Sequence, residues 1–188
     1  FDYYFVIPYS NDMQSARRGD PPLPLVKQAA VIEAPADQAT LTRRYTEQVI
    51  SFIENNQATP FFVYLPHTFP HLPLFASPDF HGKSANGRYG DAIEEIDWST
   101  GQILDCLDRL ELTENTLVIF TSDNGSNGRN GGSNQPLSGA KGSTMEGGMR
   151  VPMIARWPGR IAAGSTCREL ATTMDLLPTF CSLTGAPL

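Results

Sequence analysis

Two short apolar runs limit what this chain can fold into. Residues 61–65, FFVYL, and 116–120, TLVIF, are continuous, rich in β-branched and aromatic side chains, and too short for helices. Each follows a helical stretch with one apolar face. In residues 41–54, LTRRYTEQVISFIE, Tyr45, Val49, Phe52 and Ile53 fall at i, i+4, i+7 and i+8. In residues 91–110, DAIEEIDWSTGQILDCLDRL, a face is shared by Ile93, Ile96, Ile103, Leu104, Leu107 and Leu110. Helix, strand, helix, strand, with strands that read as buried on both faces, predicts an α/β fold: a mostly parallel sheet with helices on both sides. MIARW at 153–157 reads as a weaker strand, and the last helix starts near Asp175 and ends at Gly185. Residues 1–38 lack a clean period and read as loop with short extended pieces, RRGDPPLPL being a turn-rich surface segment.

Both strands end abruptly in polar residues. FFVYL runs into PHTFPH, with His67 and His71, and TLVIF runs into TSDNG, with Asp123 and Asn124. Ligands of open parallel sheets bind beyond the carboxyl ends of the strands, so parallel pairing would bring all four side chains to one edge. Asp and Asn offer hard oxygen donors, which suit Ca²⁺ or Mg²⁺ better than Zn²⁺. The competing reading is an Asx-turn at a strand end with Gly125 at positive φ, and these five residues alone leave the two open. Further on, Lys141 lies between Gly139 and Gly142. It is either a lysine on close-packed backbone aimed at an anion or a solvated surface cation. His67 and His81 are assigned no role.

Composition narrows the classes of function. Of 188 residues, 40% are hydrophobic and 18% charged, the balance of a globular chain. The net charge of −6, with no basic block beyond the pairs Arg17–Arg18 and Arg43–Arg44, argues against nucleic acid as a partner. Cys106, Cys167 and Cys181 show no metal-binding spacing, and no apolar run is long enough for a transmembrane segment.

Six segments in order, IPYSNDM, PFFVYLPHTFPHLPLF, YGDAIEEIDWSTGQIL, TLVIFTSDNG, GAKGSTMEGGMRVPMIARWPG and TMDLLPTFCSLTGAPL, resemble the arylsulfatase-type sulfatases of the alkaline phosphatase superfamily. The resemblance implies a sulfuric ester hydrolase. It implies one Ca²⁺ held by oxygen ligands and a formylglycine nucleophile made from Cys, or in some members Ser, by a formylglycine-generating or sulfatase-maturating enzyme. Carried over position by position, it makes Asp123 and Asn124 metal ligands and Lys141 a sulfate contact. It places His71 beside the ester oxygen and Ser10 near the sulfate pocket. It further implies a sulfated small molecule or glycan as substrate and an extracytoplasmic location: periplasmic, lysosomal or secreted. Glu146 and Arg150 are expected to pair and hold a loop, and Asp97 and Trp98 to pack or cap rather than react.

The chain departs from the family at one point. The signature Cys-x-Pro-Ser-Arg is absent, since Cys106 precedes LDR, Cys167 precedes REL and Cys181 precedes SLT. The aspartate pair, lysine and histidine that accompany the signature are missing too. The expectation is therefore a C-terminal portion of a sulfatase catalytic domain over residues 1–188, truncated on the N-terminal side, with the C-terminal subdomain mostly absent and no turnover by itself. Two alternatives remain: a phosphodiester or phosphonate monoester hydrolase of the same superfamily, and a non-catalytic homologue that grips sulfated glycans.

Overall fold

The computed structural model describes residues 1–14 and 19–188; the pair Arg17–Arg18, with the start of RRGDPPLPL, lies outside them. The first third of the chain builds a small sheet. Strands β1 (Phe5–Val6), β2 (Leu25–Lys27) and β3 (Ala30–Glu33) pair antiparallel in the order β1-β2-β3, with Phe5 opposite Lys27 and Val26 opposite Val31. This sheet gives Leu25 and Phe5 to a core completed by two helices, α1 (Leu41–Asn56) and α2 (Gly87–Arg109).

The α1 face is close to the expected one, with Leu41, Tyr45 and Ile53 buried. The α2 face differs. Ile93 is exposed, and the first half of the helix buries Asp91, Ala92, Glu95 and Ser99 instead. These small and polar residues have definite partners. Ser99 Oγ meets Thr46 Oγ1 at 2.6 Å where the helices touch, and Glu95 accepts the Ser77 N–H at 2.9 Å. Asp91 accepts the N–H groups of Gly82, Lys83 and Ser84 at 2.8, 3.1 and 2.9 Å. Those bonds hold its carboxyl below the usual carboxylate range. A helix can therefore bury a polar stripe whose residues meet backbone or hydroxyl partners, Glu95 through one carboxylate oxygen only, and apolar periodicity does not register this.

A second cluster, Ile53, Cys106 and Leu107, receives Phe61, Val63 and Val118. Residues 61–65 form no ladder among the described residues, and their burial alternates rather than covering both faces. Phe61, Val63 and Leu65 point inward, whereas Phe62 and Tyr64 are 56% and 67% exposed. Strand β4 (Val118–Thr121) pairs with β5 (Met153–Arg156), Val118 opposite Arg156 and Thr121 opposite Met153. That pairing is antiparallel, as is every ladder among the described residues, so the α/β class stands while the parallel pairing expected of FFVYL and TLVIF is not formed among them. The link between β4 and β5 carries only the four-residue helix α3 (Glu146–Met149), too little for the right-handed helical crossover that parallel neighbours need, so the chain folds straight back.

Helix α4 (Leu176–Thr184) follows a capping box in which the Thr172 N–H donates to Asp175 at 2.6 Å, and it ends at Gly185 with φ 74°. Arg44 pairs with Glu33 at 2.5 Å, and Arg43 pairs with Asp79 while stacking on Trp98. Both cations are thus committed internally, and Trp98 packs as expected. No helix among the described residues is long and apolar enough to cross a membrane.

Candidate active site

His71 is held by a buried amide. Asn11, 1% exposed, donates its Nδ2 to Gln38 Oε1 at 2.9 Å and to the Pro73 carbonyl at 3.1 Å. Its amide nitrogen is thereby spent, and Oδ1 faces His71 Nδ1 at 3.1 Å. The Leu72 carbonyl lies 2.7 Å from the same ring nitrogen. Two acceptors on one nitrogen require that Nδ1 carry the proton, which leaves Nε2 as the ring's variable site. In the cationic ring Nε2 donates; in the neutral ring it accepts. Ser10, the neighbouring residue, donates its hydroxyl to Asp12 at 2.6 Å inside a turn closed by Met13 N–H to the Ser10 carbonyl at 3.0 Å. Ser10, Asn11 and His71 line one cavity of about 480 Å³ whose walls are largely aromatic, among them Tyr4, Tyr9, Phe62 and Tyr64.

The second group is built on the loop after β4. Asp123 is exposed, and among the described residues its carboxylate has no hydrogen-bond or ion-pair partner. Asn124 donates Nδ2 to the Gly125 carbonyl at 2.9 Å, leaving its Oδ1 as the atom available to a ligand. Gly125 serves the turn through close approach rather than through positive φ. A Cβ there would meet the Gly147 carbonyl oxygen at 1.9 Å, and its N–H donates to the Gly148 carbonyl at 3.0 Å. The strand end is thus pressed onto the start of α3. Gly147 in turn donates to the Ser138 carbonyl at 2.7 Å, and Lys141 N–H donates to the Ser126 carbonyl at 2.9 Å. Three segments, 123–126, 138–141 and 146–148, are locked together through backbone. The Lys141 side chain is exposed, on a backbone whose neighbours Gly139 and Gly142 both sit at φ 89°.

Ser10 and His71 are therefore brought together in one cavity, and Asp123, Asn124 and Lys141 in one loop system. Two consecutive hard oxygen donors, one charged and both unengaged, fit a hard divalent cation in their chemistry. They do not complete a coordination sphere: among the described residues no group of three or more His, Cys, Asp or Glu side chains could hold a metal. Glu146 and Arg150 pair at 3.4 Å, but both are more than two-thirds exposed, so the pair contributes little. Cys106 is buried, which pushes its thiol pKa up and makes it a poor nucleophile.

Sequence reasoning passed over Asn11, Asn134 and His67. Asn11 adjoins Ser10 in IPYSND, and Asn134 sits in GGSNQP; an Asn beside turn residues is the available signal, because its side chain mimics a backbone amide. Asn134 accepts the Ser126 N–H at 2.7 Å and donates to the carbonyls of Ser126 and Gly139 at 2.8 and 3.1 Å. His67 has a buried Nδ1 with no partner among the described residues, and burial lowers its pKa to about 4.

This arrangement of helices, small sheets and strand-end loops is that of the sulfatases. The solved structure of the PsFucS1 sulfatase from Pseudoalteromonas sp. superposes with a TM-score of 0.86 at 28% identity, covering 98% of this chain and 43% of that one. The sulfatase family model matches residues 1–186, and the chain belongs to that family. It is 45% identical over 172 residues to the steryl-sulfatase of Homo sapiens, covering 87% of this chain and 30% of that protein. It is 49% identical over 154 residues to the N-acetylgalactosamine-6-sulfatase of Canis lupus familiaris, covering 79% of this chain and 30% of that protein. The chain thus spans about a third of the length of the curated relatives it matches.

Proposed function

We propose that this chain supplies the anion-binding and leaving-group side of a site that hydrolyses sulfuric esters. The observation that carries the reading is the backbone lock from Lys141 N–H to the Ser126 carbonyl at 2.9 Å, which ties an exposed ammonium to the same loop system as two free oxygen donors. Membership of the sulfatase family supports the reaction class.

Each residue then has a task. Negative charge accumulates on the non-bridging oxygens of a sulfuryl group in transfer, and Lys141 offers a fixed positive charge to them. His71, with Nδ1–H held by Asn11 and Leu72, presents Nε2 for the bridging oxygen, and in its cationic form it donates a proton or hydrogen bond to the departing alkoxide or phenoxide. Ser10 adds a hydroxyl near the sulfate once its bond to Asp12 is released. Asp123 and Asn124 would hold one Ca²⁺, which would add a Lewis-acid charge beside the same oxygens. The proposal includes a formylglycine nucleophile on sequence outside these residues, formed by a maturating enzyme, and an extracytoplasmic setting. The substrate is a sulfated small molecule or glycan. Among the relatives, the names steryl-sulfatase and N-acetylgalactosamine-6-sulfatase describe one of each kind.

The test is steady-state kinetics of the intact protein on an aryl sulfate and an aryl phosphate sharing one leaving group. Preference for the sulfate is expected. Preference for a phosphate diester or phosphonate monoester would move the protein to the neighbouring hydrolases. Binding of sulfated glycan without turnover of either ester would make it a binder. Asn124, a hard oxygen donor, favours a site with one hard cation over a two-zinc site, and the kinetics separate a sulfatase from the phosphodiester and phosphonate hydrolases that share this pattern.

A further inference from the structure

The loop that carries Lys141 is held by a side chain to which neither the family resemblance nor the proposed reaction assigns a role. Asn134 uses its whole carboxamide on backbone. Its Oδ1 accepts the Ser126 N–H at 2.7 Å, and its Nδ2 donates to the Ser126 carbonyl at 2.8 Å and to the Gly139 carbonyl at 3.1 Å. Ser126 is two residues past Asn124, and Gly139 is two residues before Lys141. The Ser126 carbonyl also receives the Lys141 N–H at 2.9 Å. One amide group therefore touches the strand-end segment and the lysine segment at once, and it shares an acceptor with Lys141 itself.

The surroundings leave few other ways to hold this geometry. A Cβ on Gly139 would lie 2.5 Å from Met145 Cβ, one on Gly147 would lie 2.4 Å from the Gly139 carbonyl oxygen, and one on Gly132 would lie 2.2 Å from Ser126 Oγ. The segments approach so closely that glycine backbone meets backbone at Gly147 and side chains at Gly139 and Gly132, and Asn134 joins the strand-end and lysine segments. A glycine-rich loop has high conformational entropy when free, so a three-bond clamp on it narrows where the next residues can sit. The far end of the loop is pinned as well: Asn86 Nδ2 donates to the Gly131 carbonyl at 3.1 Å, tying it to the start of α2.

We propose that Asn134 is a positioning residue for Lys141: by bridging Ser126 and Gly139 it fixes the Lys141 backbone against the strand end that carries Asp123 and Asn124, and so sets where the ammonium stands relative to the sulfuryl oxygens. The proposal rests on the sulfate-contact reading of Lys141. No bond to substrate is assigned to Asn134 itself. Its effect is to keep a transition-state contact in register, so its loss falls on kcat while KM changes little; a loss of folded enzyme would lower kcat in the same way, and the melts and the Lys141→Ala background tell the two apart.

The experiment is a double-mutant cycle in the intact protein, read as kcat and KM on an aryl sulfate, with thermal melts on every variant. Asn134→Ala removes all three bonds. Asn134→Asp keeps the shape and one acceptor but turns two donations into contacts between a carboxylate and carbonyl oxygens, and it serves if the alanine variant does not fold. Either change is expected to lower kcat by roughly tenfold to a hundredfold, the usual consequence of misplacing a reacting group by about 1 Å. In a Lys141→Ala background the same change is expected to have almost no further effect on kcat, because the group it positions is gone. If Asn134 variants slow the enzyme by the same factor with and without Lys141, or keep the wild-type kcat while Lys141→Ala is slow, the positioning role is overturned. A wild-type kcat in Lys141→Ala would instead overturn the sulfate-contact reading on which the proposal stands, whatever Asn134 does.

Discussion

Asn11 Oδ1 lies 3.1 Å from His71 Nδ1 across 60 residues of sequence, and the asparagine that makes this contact is buried while the histidine is exposed. A rigid, fully engaged amide thus orients a ring that solvent would otherwise let turn. The bond fixes more than direction, since an acceptor at Nδ1 dictates that Nε2 is the nitrogen offered to a substrate.

For the reaction, the role of His71 depends on how much the leaving group needs a proton. Asn11→Ala removes one of the two acceptors on Nδ1, leaving the Leu72 carbonyl at 2.7 Å, and strips Gln38 and Pro73 of a partner. It is expected to cost about 1–3 kcal/mol of stability. It is also expected to lower kcat most for sulfate esters of poor leaving groups and least for activated aryl sulfates. A leaving-group series on the Asn11→Ala and His71→Ala variants measures this. Equal losses across the series would confine Asn11 to the fold.

Lys141 is exposed and contributes no apolar burial, so its removal separates charge from stability. Lys141→Ala is expected to reduce kcat by roughly 10²–10³, as for other fixed donors to a developing oxyanion, with an unchanged melting temperature. Lys141→Arg is expected to restore part of the rate only, because a planar guanidinium on a loop with glycines on both sides needs different geometry from an ammonium. A large fall in melting temperature with matching loss of activity would show that the lysine holds the loop instead.

The contrast between what sequence conveyed and what it did not has a physical pattern. Helices α1 and α2, strands β4 and β5 and the α4 boundaries follow from periodicity and turn chemistry, which are local. The FFVYL run forms no ladder among the described residues, and Phe62 and Tyr64 face outward, because composition reports that a segment can be a strand and not which strand it pairs with. The polar face of α2 was invisible for a related reason: Asp91 and Glu95 are buried by partners on residues 77–84, a contact between segments. At the site, Asp123, Asn124, Lys141, His71 and Ser10 stand out as residue types with chemistry of their own. Asn11 and Asn134 do not, since an asparagine that binds backbone looks like any turn residue until its partners are known.

His67 supplies a prediction about pH. Burial lowers its pKa to about 4, from the ordinary value near 6.5, so the folded protein holds it neutral. The unfolded chain binds the proton more tightly, and stability therefore falls as pH drops from about 6.5 towards about 4, by an amount on the order of 3 kcal/mol at most. Above about pH 6.5 the group adds no slope. His67→Gln is expected to flatten the decline in melting temperature over that window and leave the neutral-pH value little changed. An unaltered slope in the variant would show that other groups govern acid sensitivity.

The oxygen donors at the end of β4 can be tested apart from turnover. Asp123 brings a charge and an unengaged carboxylate; Asn124 brings one carbonyl dipole, its nitrogen being tied to the Gly125 carbonyl at 2.9 Å. Hard cations bind chiefly through charge, so the two positions are unequal. Asp123→Ala in the intact protein is expected to abolish calcium binding by titration calorimetry and with it the calcium-dependent part of the activity. Asn124→Ala is expected to weaken binding while leaving it measurable. Neither side chain is buried, so the fold should survive both changes. Calcium is then expected to raise the melting temperature of the wild type, less so that of Asn124→Ala, and not that of Asp123→Ala, because a ligand stabilises only the state that binds it. Small and equal effects of the two substitutions on calcium affinity and melting temperature would return TSDNG to a turn that closes a strand, with Gly125 packed against Gly147 as its sole purpose.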